Sequence, residues 1–246
     1  MTFAEQASVW LASLLSRANP AKPSTLANWS SVVSVHIMPA ISDEPLETFG
    51  NAKLKTFAAG LRHLAPKTQH EIVRVVKMIV ASAVDEDGEY RYARNWNSKF
   101  IDLPRIENQH SPTIDTKTIE RLLSERKPRY AVLYSLLAGT GLRINEALSI
   151  RCGDDGLRSG WDAAASAIHI RNGLYRGVET SSPKTRAAIR IVDLHPKLNQ
   201  VLETYAAKAT RKPGDFLFAT RTGHPLSDVQ VRRDLTSAGV PCGLHS

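Results

Sequence analysis

Cysteine is almost missing: the 246 residues hold two, Cys152 and Cys242. Two cannot build a disulfide framework, and their separation matches no metal-site spacing. A reducing cytosol fits such usage. No stretch approaches the roughly 20 apolar residues of a membrane helix. The opening MTFAEQASVWLASLL has no basic region and carries Glu5, so it does not read as a signal peptide. Internal repeats and low-complexity tracts are absent. Aromatic residues make up 7%, and Trp10, Trp29, Trp96 and Trp161 read as core and linker packing. His36, His63, His70, His110, His169, His195 and His224 show no ligand spacing, so no metal site is expected.

What the chain does have is positive charge in one half. Residues 1–110 hold 12 Lys+Arg against 11 Asp+Glu, whereas residues 111–246 hold 20 against 13. Of those 20, 14 are arginine. The guanidinium fork matches phosphate oxygens two at a time, which an ammonium cannot do. An arginine-rich basic half favours a nucleic-acid partner. A solvated basic surface is the duller alternative.

The first hundred residues have helical periodicity. Phe3, Ala7, Trp10, Leu11, Leu14 and Leu15 share one face, and Pro20 and Pro23 end that segment. Ser24 or Thr25 is expected to cap a second helix carrying Leu26, Trp29, Val33, His36 and Ile37 that stops before Pro39. A third runs from about Ala52 to Leu64, and a fourth follows Pro66 with Ile72, Val76, Ile79, Val80 and Ala83. This reads as a small helical bundle. The stretch 95–113 lacks periodicity and holds Pro104 and Pro112, as a linker would. Beyond it, Asp115 or Thr116 caps a helix through Leu123. The period then changes to two in Ala167–Arg171 and Ala188–Val192, which predicts strands. Helices resume at Pro196–Ala207 and Ser227–Ser237.

The block Tyr130–Asp155, YAVLYSLLAGTGLRINEALSIRCGDD, carries the most information. An apolar helix runs into Gly139-Thr140-Gly141, then Leu142-Arg143, then a second amphipathic helix, Arg143–Ile150, bearing Glu146. Leu142, Ile144, Ala147 and Leu148 should anchor the turn to a core, so Arg143 is held at a rigid glycine turn. Glu146, three residues on, lies on the same helical face and can orient it.

GTGLRINEAL resembles the first arginine box of the tyrosine recombinase (phage integrase) family. SSPKTRAAIRIVDL resembles that family's β-hairpin box, and GLHS the opening of its H-x-x-R box. The resemblance implies a mainly α fold. A SAM-like helical core-binding domain would span residues 1–106, a linker 107–112, and a mostly helical catalytic domain with a small antiparallel sheet 113–246. It implies catalytic roles for Arg143, Lys184 and His245, with Glu146 in support. The arginine would stabilise charge on the scissile phosphate, and the lysine would protonate the departing 5′ oxygen. The histidine would serve the tyrosine nucleophile. Lys53, Lys55, Arg62, Lys67, Arg74, Lys77, Arg186 and Arg190 are candidate DNA contacts.

The implied partners are double-stranded DNA and other recombinase protomers, in the cytoplasm of a host carrying a mobile element. No cofactor, membrane or small-molecule substrate is implied. The arginine three positions after His245 would fall beyond Ser246, and none of Tyr90, Tyr92, Tyr130, Tyr134, Tyr175 and Tyr205 follows that histidine. The expectation is therefore a catalytic domain incomplete at its C-terminal end. Leu235, Val240 and Leu244 would lie in an uncovered apolar patch, and the chain would bind DNA without cutting it. Two alternatives are a non-catalytic DNA-binding derivative of a recombinase and a helical protein-binding scaffold.

Overall fold

The computed structural model describes residues 1–107, 113–180 and 189–240. They divide into two compact units, Met1–Gln109 and His110–Ser246.

The first unit is helical. α1 (Phe3–Ser16) opens with a capping box in which Thr2 and Glu5 satisfy each other's backbone N–H groups. α2 (Pro23–Val32) starts on Pro23 itself, where Ser24 or Thr25 was expected to cap. Proline at the first helical position lacks only an N–H that would have no partner there. The chain does not stop before Pro39. A π-helical turn, Val33–Ile37, leads into α3 (Met38–Ile41), and Met38 N–H donates to Val33 O, five residues back. The wider turn accommodates a proline that has no N–H for the carbonyl four residues earlier and would otherwise press its ring against it. α4 (Asn51–Gly60) and α5 (Pro66–Ala81) complete the bundle. α5 buries Ile72, Val73, Val75, Val76, Ile79 and Val80, its apolar stripe. Burying each such side chain is worth about 1.5–3 kcal/mol. The stretch expected to be linker from residue 95 forms a short helix, α6 (Ser98–Ile101), and Trp96, Ile101 and Leu103 pack into this unit's core.

The second unit begins with α7 (Thr116–Glu125), whose cap is Asp115, and α8 (Pro128–Thr140). The expected helix Arg143–Ile150 is a single turn, α9 (Ile144–Ala147), because the chain then enters β1 (Arg151–Cys152). β2 (Gly160–Asp162), β3 (Ala167–Ile170) and β6 (Arg190–Asp193) complete a four-stranded sheet in the order β1-β2-β3-β6. The two strands read from the sequence, β3 and β6, pair antiparallel. β1 and β2 pair parallel, so the sheet is mixed. β4 (Gly173–Tyr175) and β5 (Val178–Thr180) form a separate antiparallel hairpin. α10 (Pro196–Lys208) packs on α8, and α11 (Asp228–Ser237) closes the described chain.

Gly160 is required by contact: a Cβ there would sit 2.4 Å from Gly153 O. Tyr134 donates to Asp234 at 2.7 Å, and Arg121 and Arg126 bond Ala238 O and Ser237, so α11 is tied to α7 and α8. Val240 is 3% exposed and Leu235 packs against the same core. These two therefore do not form the open patch expected of them, and Leu244 lies outside the described residues.

Candidate nucleic-acid interface

α8 ends where Gly141 adopts φ +65°, its N–H donating to Leu137 O at 3.0 Å. That left-handed conformation suits glycine. Leu142 then plunges into the core at 0% exposure, as do Ala147 and Ile150 after the turn. Arg143 sits between these anchors, at the N-cap of α9, with its side chain 67% exposed. A rigid backbone thus presents a solvent-facing guanidinium.

Beneath it lies Glu146, whose side chain is 8% exposed. Its Oε2 accepts from the Arg143 backbone N–H at 3.1 Å and its Oε1 from Arg143 Nη1 at 3.1 Å. Arg190, the first residue of β6, adds Nη2 to Oε2 at 2.8 Å and Nη1 to Oε1 at 3.3 Å. Burial opposes ionisation of this carboxyl, but the bonds from Arg190 and from Arg143's amide and guanidinium outweigh it and hold its pKa below the usual value. Two guanidinium groups therefore share one carboxylate, and one net positive charge remains.

The turn is also held from below. Ser149 and Ser159, both fully buried, donate to Asn172 O, and the Asn172 side chain accepts from Ser159 N–H at 3.0 Å. This satisfied polar cluster fastens the residues after α9 to the loop entering β4. Neither it nor the Arg190–Glu146 pair has a sequence signal, since the pair's partners are 44 residues apart.

Arg143, Glu146 and Arg190 are therefore brought together. Lys184, Arg186 and His245 lie outside the described residues. In the first unit, Lys67, Arg74 and Lys77 line one groove along α5 with Ser98, Ile101 and Leu103. Arg74 pairs with Glu71 at 2.7 Å, and burial lowers the Lys77 pKa. Lys53 is held by Glu44 and Thr48, Lys55 lies 4.5 Å from the Phe100 ring centroid, and Arg62 is exposed just past α4.

Part of the arginine surplus is engaged internally. Arg151 bonds Glu179 and Gly214 O and stacks over Phe216, Arg171 pairs with Asp154, and Arg211 bonds Ala219 O. Arg176, Arg221 and Arg233 are exposed. Among the described residues no three His, Cys, Asp or Glu side chains converge as metal ligands. Cys152 is buried, which pushes its thiol up to about 11. No helix of the described residues is long and apolar enough to cross a membrane.

The second unit is thus mainly helical with a small sheet and presents one arginine at a glycine turn over a buried glutamate. Residues 112–245 match the phage integrase family, and the chain belongs to that family. Solved structures agree in fold. The Tn1549 transposon integrase in complex with transposon right end DNA superposes with a TM-score of 0.72 at 15% identity, covering 97% of this chain and 79% of that one. The same integrase with a circular intermediate DNA gives 0.72 at 17%, covering 97% and 77%. A lambda integrase tetramer bound to a Holliday junction gives 0.65 at 16%, covering 97% and 63%. No curated protein matches the chain by sequence.

Proposed function

We propose that this chain binds duplex DNA as a tyrosine recombinase does, with Arg143 gripping the phosphate at which strands are broken and rejoined. The observation that carries the reading is the exposed Arg143 guanidinium, fixed at a glycine turn above a buried, ionised Glu146. A pentacovalent phosphate gathers charge on its non-bridging oxygens, and a preorganised guanidinium stabilises that charge without reorganising. We assign residues 1–106 to core binding, 107–112 to the linker and 113–246 to the catalytic domain. Lys184 and His245 keep the proton-transfer roles that the family resemblance implies.

Partners would be duplex DNA and further protomers assembled on it, in the cytoplasm. The solved relatives bound to DNA, one of them as a tetramer, support the DNA and protomer partners. For the 246 residues themselves we favour binding without cutting. Tyr130, Tyr134 and Tyr205 are buried in helices, Tyr90 and Tyr92 belong to the first unit, and Tyr175 is half-buried on β4.

Salt titration of binding to a duplex tests the reading. If about five phosphates are neutralised, log K should fall against log salt with a slope of about −4.5. Binding that is flat over a tenfold change in salt would favour a protein-binding scaffold instead.

A further inference from the structure

Glu146 has more donors than its neighbour Arg143 supplies. Arg190 approaches both carboxylate oxygens with two nitrogens, whereas the Arg143 guanidinium reaches one oxygen with one nitrogen. Among the described residues the Arg143 side chain makes no other hydrogen bond. The two side chains also differ in exposure, 67% for Arg143 and 32% for Arg190. Arg190 is anchored in β6, opposite Ile170 of β3, while Arg143 sits on a turn.

We infer that Arg190 is a positioning residue that occupies Glu146 so that Arg143 is tethered at one point and keeps its other donors for phosphate. A buried carboxylate left short of partners draws in whatever cation can reach it. Without the Arg190 fork, the nearest such cation among the described residues is Arg143, three residues away. Glu146 would then bind Arg143 through two nitrogens and withdraw it from solvent. Arg190 thus acts against over-pairing of the phosphate-binding arginine, and it need not touch DNA itself. This goes beyond the DNA-binding reading above but rests on it for the consequence at phosphate.

The test has two arms. Guanidinium NMR on the free chain needs no DNA. In the wild type, rotation about the Arg190 Nε–Cζ bond should be slow and that of Arg143 fast. In Arg190→Gln, Arg143 should become the slow group, and in Arg190→Gln/Glu146→Gln it should be fast again. An Arg143 that stays fast in Arg190→Gln overturns the proposal, whatever happens on DNA.

The second arm measures Kd for a duplex at fixed salt. Arg143→Ala should weaken wild-type binding roughly tenfold, the size of one charge-assisted hydrogen bond. In the Arg190→Gln background the same change should cost less than about threefold. In the double variant lacking Glu146 the tenfold effect should return. Equal cost in wild type and Arg190→Gln would mean that Arg190 acts independently, and the inference fails while DNA binding by Arg143 stands. No cost in the wild type would instead defeat the DNA-binding reading. Far-ultraviolet circular dichroism on each variant separates these outcomes from misfolding.

Discussion

The Tyr134 hydroxyl, in the middle of α8, donates to the Asp234 carboxylate of α11 at 2.7 Å. Burial first, and then the Asp234 carboxylate that accepts its proton, push this tyrosine well above its ordinary range. The contact joins two helices whose residues lie 100 positions apart in the chain. Tyr134→Phe should lower stability by about 1–3 kcal/mol, because it leaves a half-buried carboxylate short of a donor. The pH dependence follows from the raised value. The folded state holds this proton more tightly than the unfolded chain, so the contribution is complete below the ordinary tyrosine value of 10.0 and shrinks above it. Urea melts at pH 7 and pH 10.5 should show the difference between wild type and Tyr134→Phe narrowing at the higher pH. A constant difference would mean that the hydroxyl does not matter.

Glu146 titrates with the opposite sign. Its folded pKa lies below the ordinary glutamate value of 4.5, despite burial, because Arg190 and Arg143 favour the charged form. Its contribution should be present above pH 4.5 and decline as pH falls through the lower folded value. Glu146→Gln should therefore destabilise the chain at pH 7 and matter less near pH 3. Parallel melts of the two proteins across that range check this; a penalty that grows on acidification would contradict it.

The hydrophobic pattern made the helices legible, because α1, α5 and α8 each bury a periodic face. Boundaries were less so where proline was involved. Pro23 starts a helix and Pro39 is absorbed by a π-helical turn, and both outcomes depend on where free N–H groups and carbonyls fall. The short α9 was hidden because Leu148 and Ile150 continue an apolar pattern that a strand entrance satisfies equally well. Arg143 and Glu146 were readable as local neighbours on one turn. The role of Arg190 was not, since sheet pairing between β3 and β6 delivers it from 44 residues away. The excess of arginine was readable as charge, but not its division between internal ties such as Arg151 and exposed groups such as Arg176.

Gly160 gives a packing prediction. Its missing Cβ would overlap Gly153 O at 2.4 Å and Asp154 Cα at 3.0 Å, both backbone atoms that cannot rotate aside. Gly160→Ala should push β2 away from the residues after β1 and cost about 1–3 kcal/mol. Gly88→Ala, which meets nothing within 4 Å but has φ +86°, is the comparison for strain without collision. If Gly160→Ala melts like wild type, the backbone gives way there more readily than its close approach implies.

A suicide duplex that traps covalent intermediates should yield no adduct with the 246-residue chain that survives a denaturing gel. Covalent catalysis needs a nucleophile in line with the phosphate. Three tyrosines are buried in helices, and burial raises the pKa of Tyr134 and Tyr205. Tyr175 is the exception to watch: it lies half-buried on β4, which packs against α9. An adduct that vanishes in Tyr175→Phe would make that residue the nucleophile and overturn the binding-only reading.

The sharpest discrimination at the site is between charge and shape at position 143. Arg143→Lys keeps the charge and loses the fork. A solvated cation attracting DNA at long range would tolerate that change, with affinity and salt slope nearly unaltered. A guanidinium held by Glu146 and aimed at one phosphate would not, because an ammonium anchored to the carboxylate has no planar set of donors left to offer. Binding by Arg143→Lys should therefore fall nearly as far as by Arg143→Ala, roughly tenfold for a charge-assisted contact. Arg233→Lys, at an exposed position on α11, should lose less than about twofold. Equal, small losses at both positions would leave Arg143 as one more surface charge and remove the geometric basis for its role.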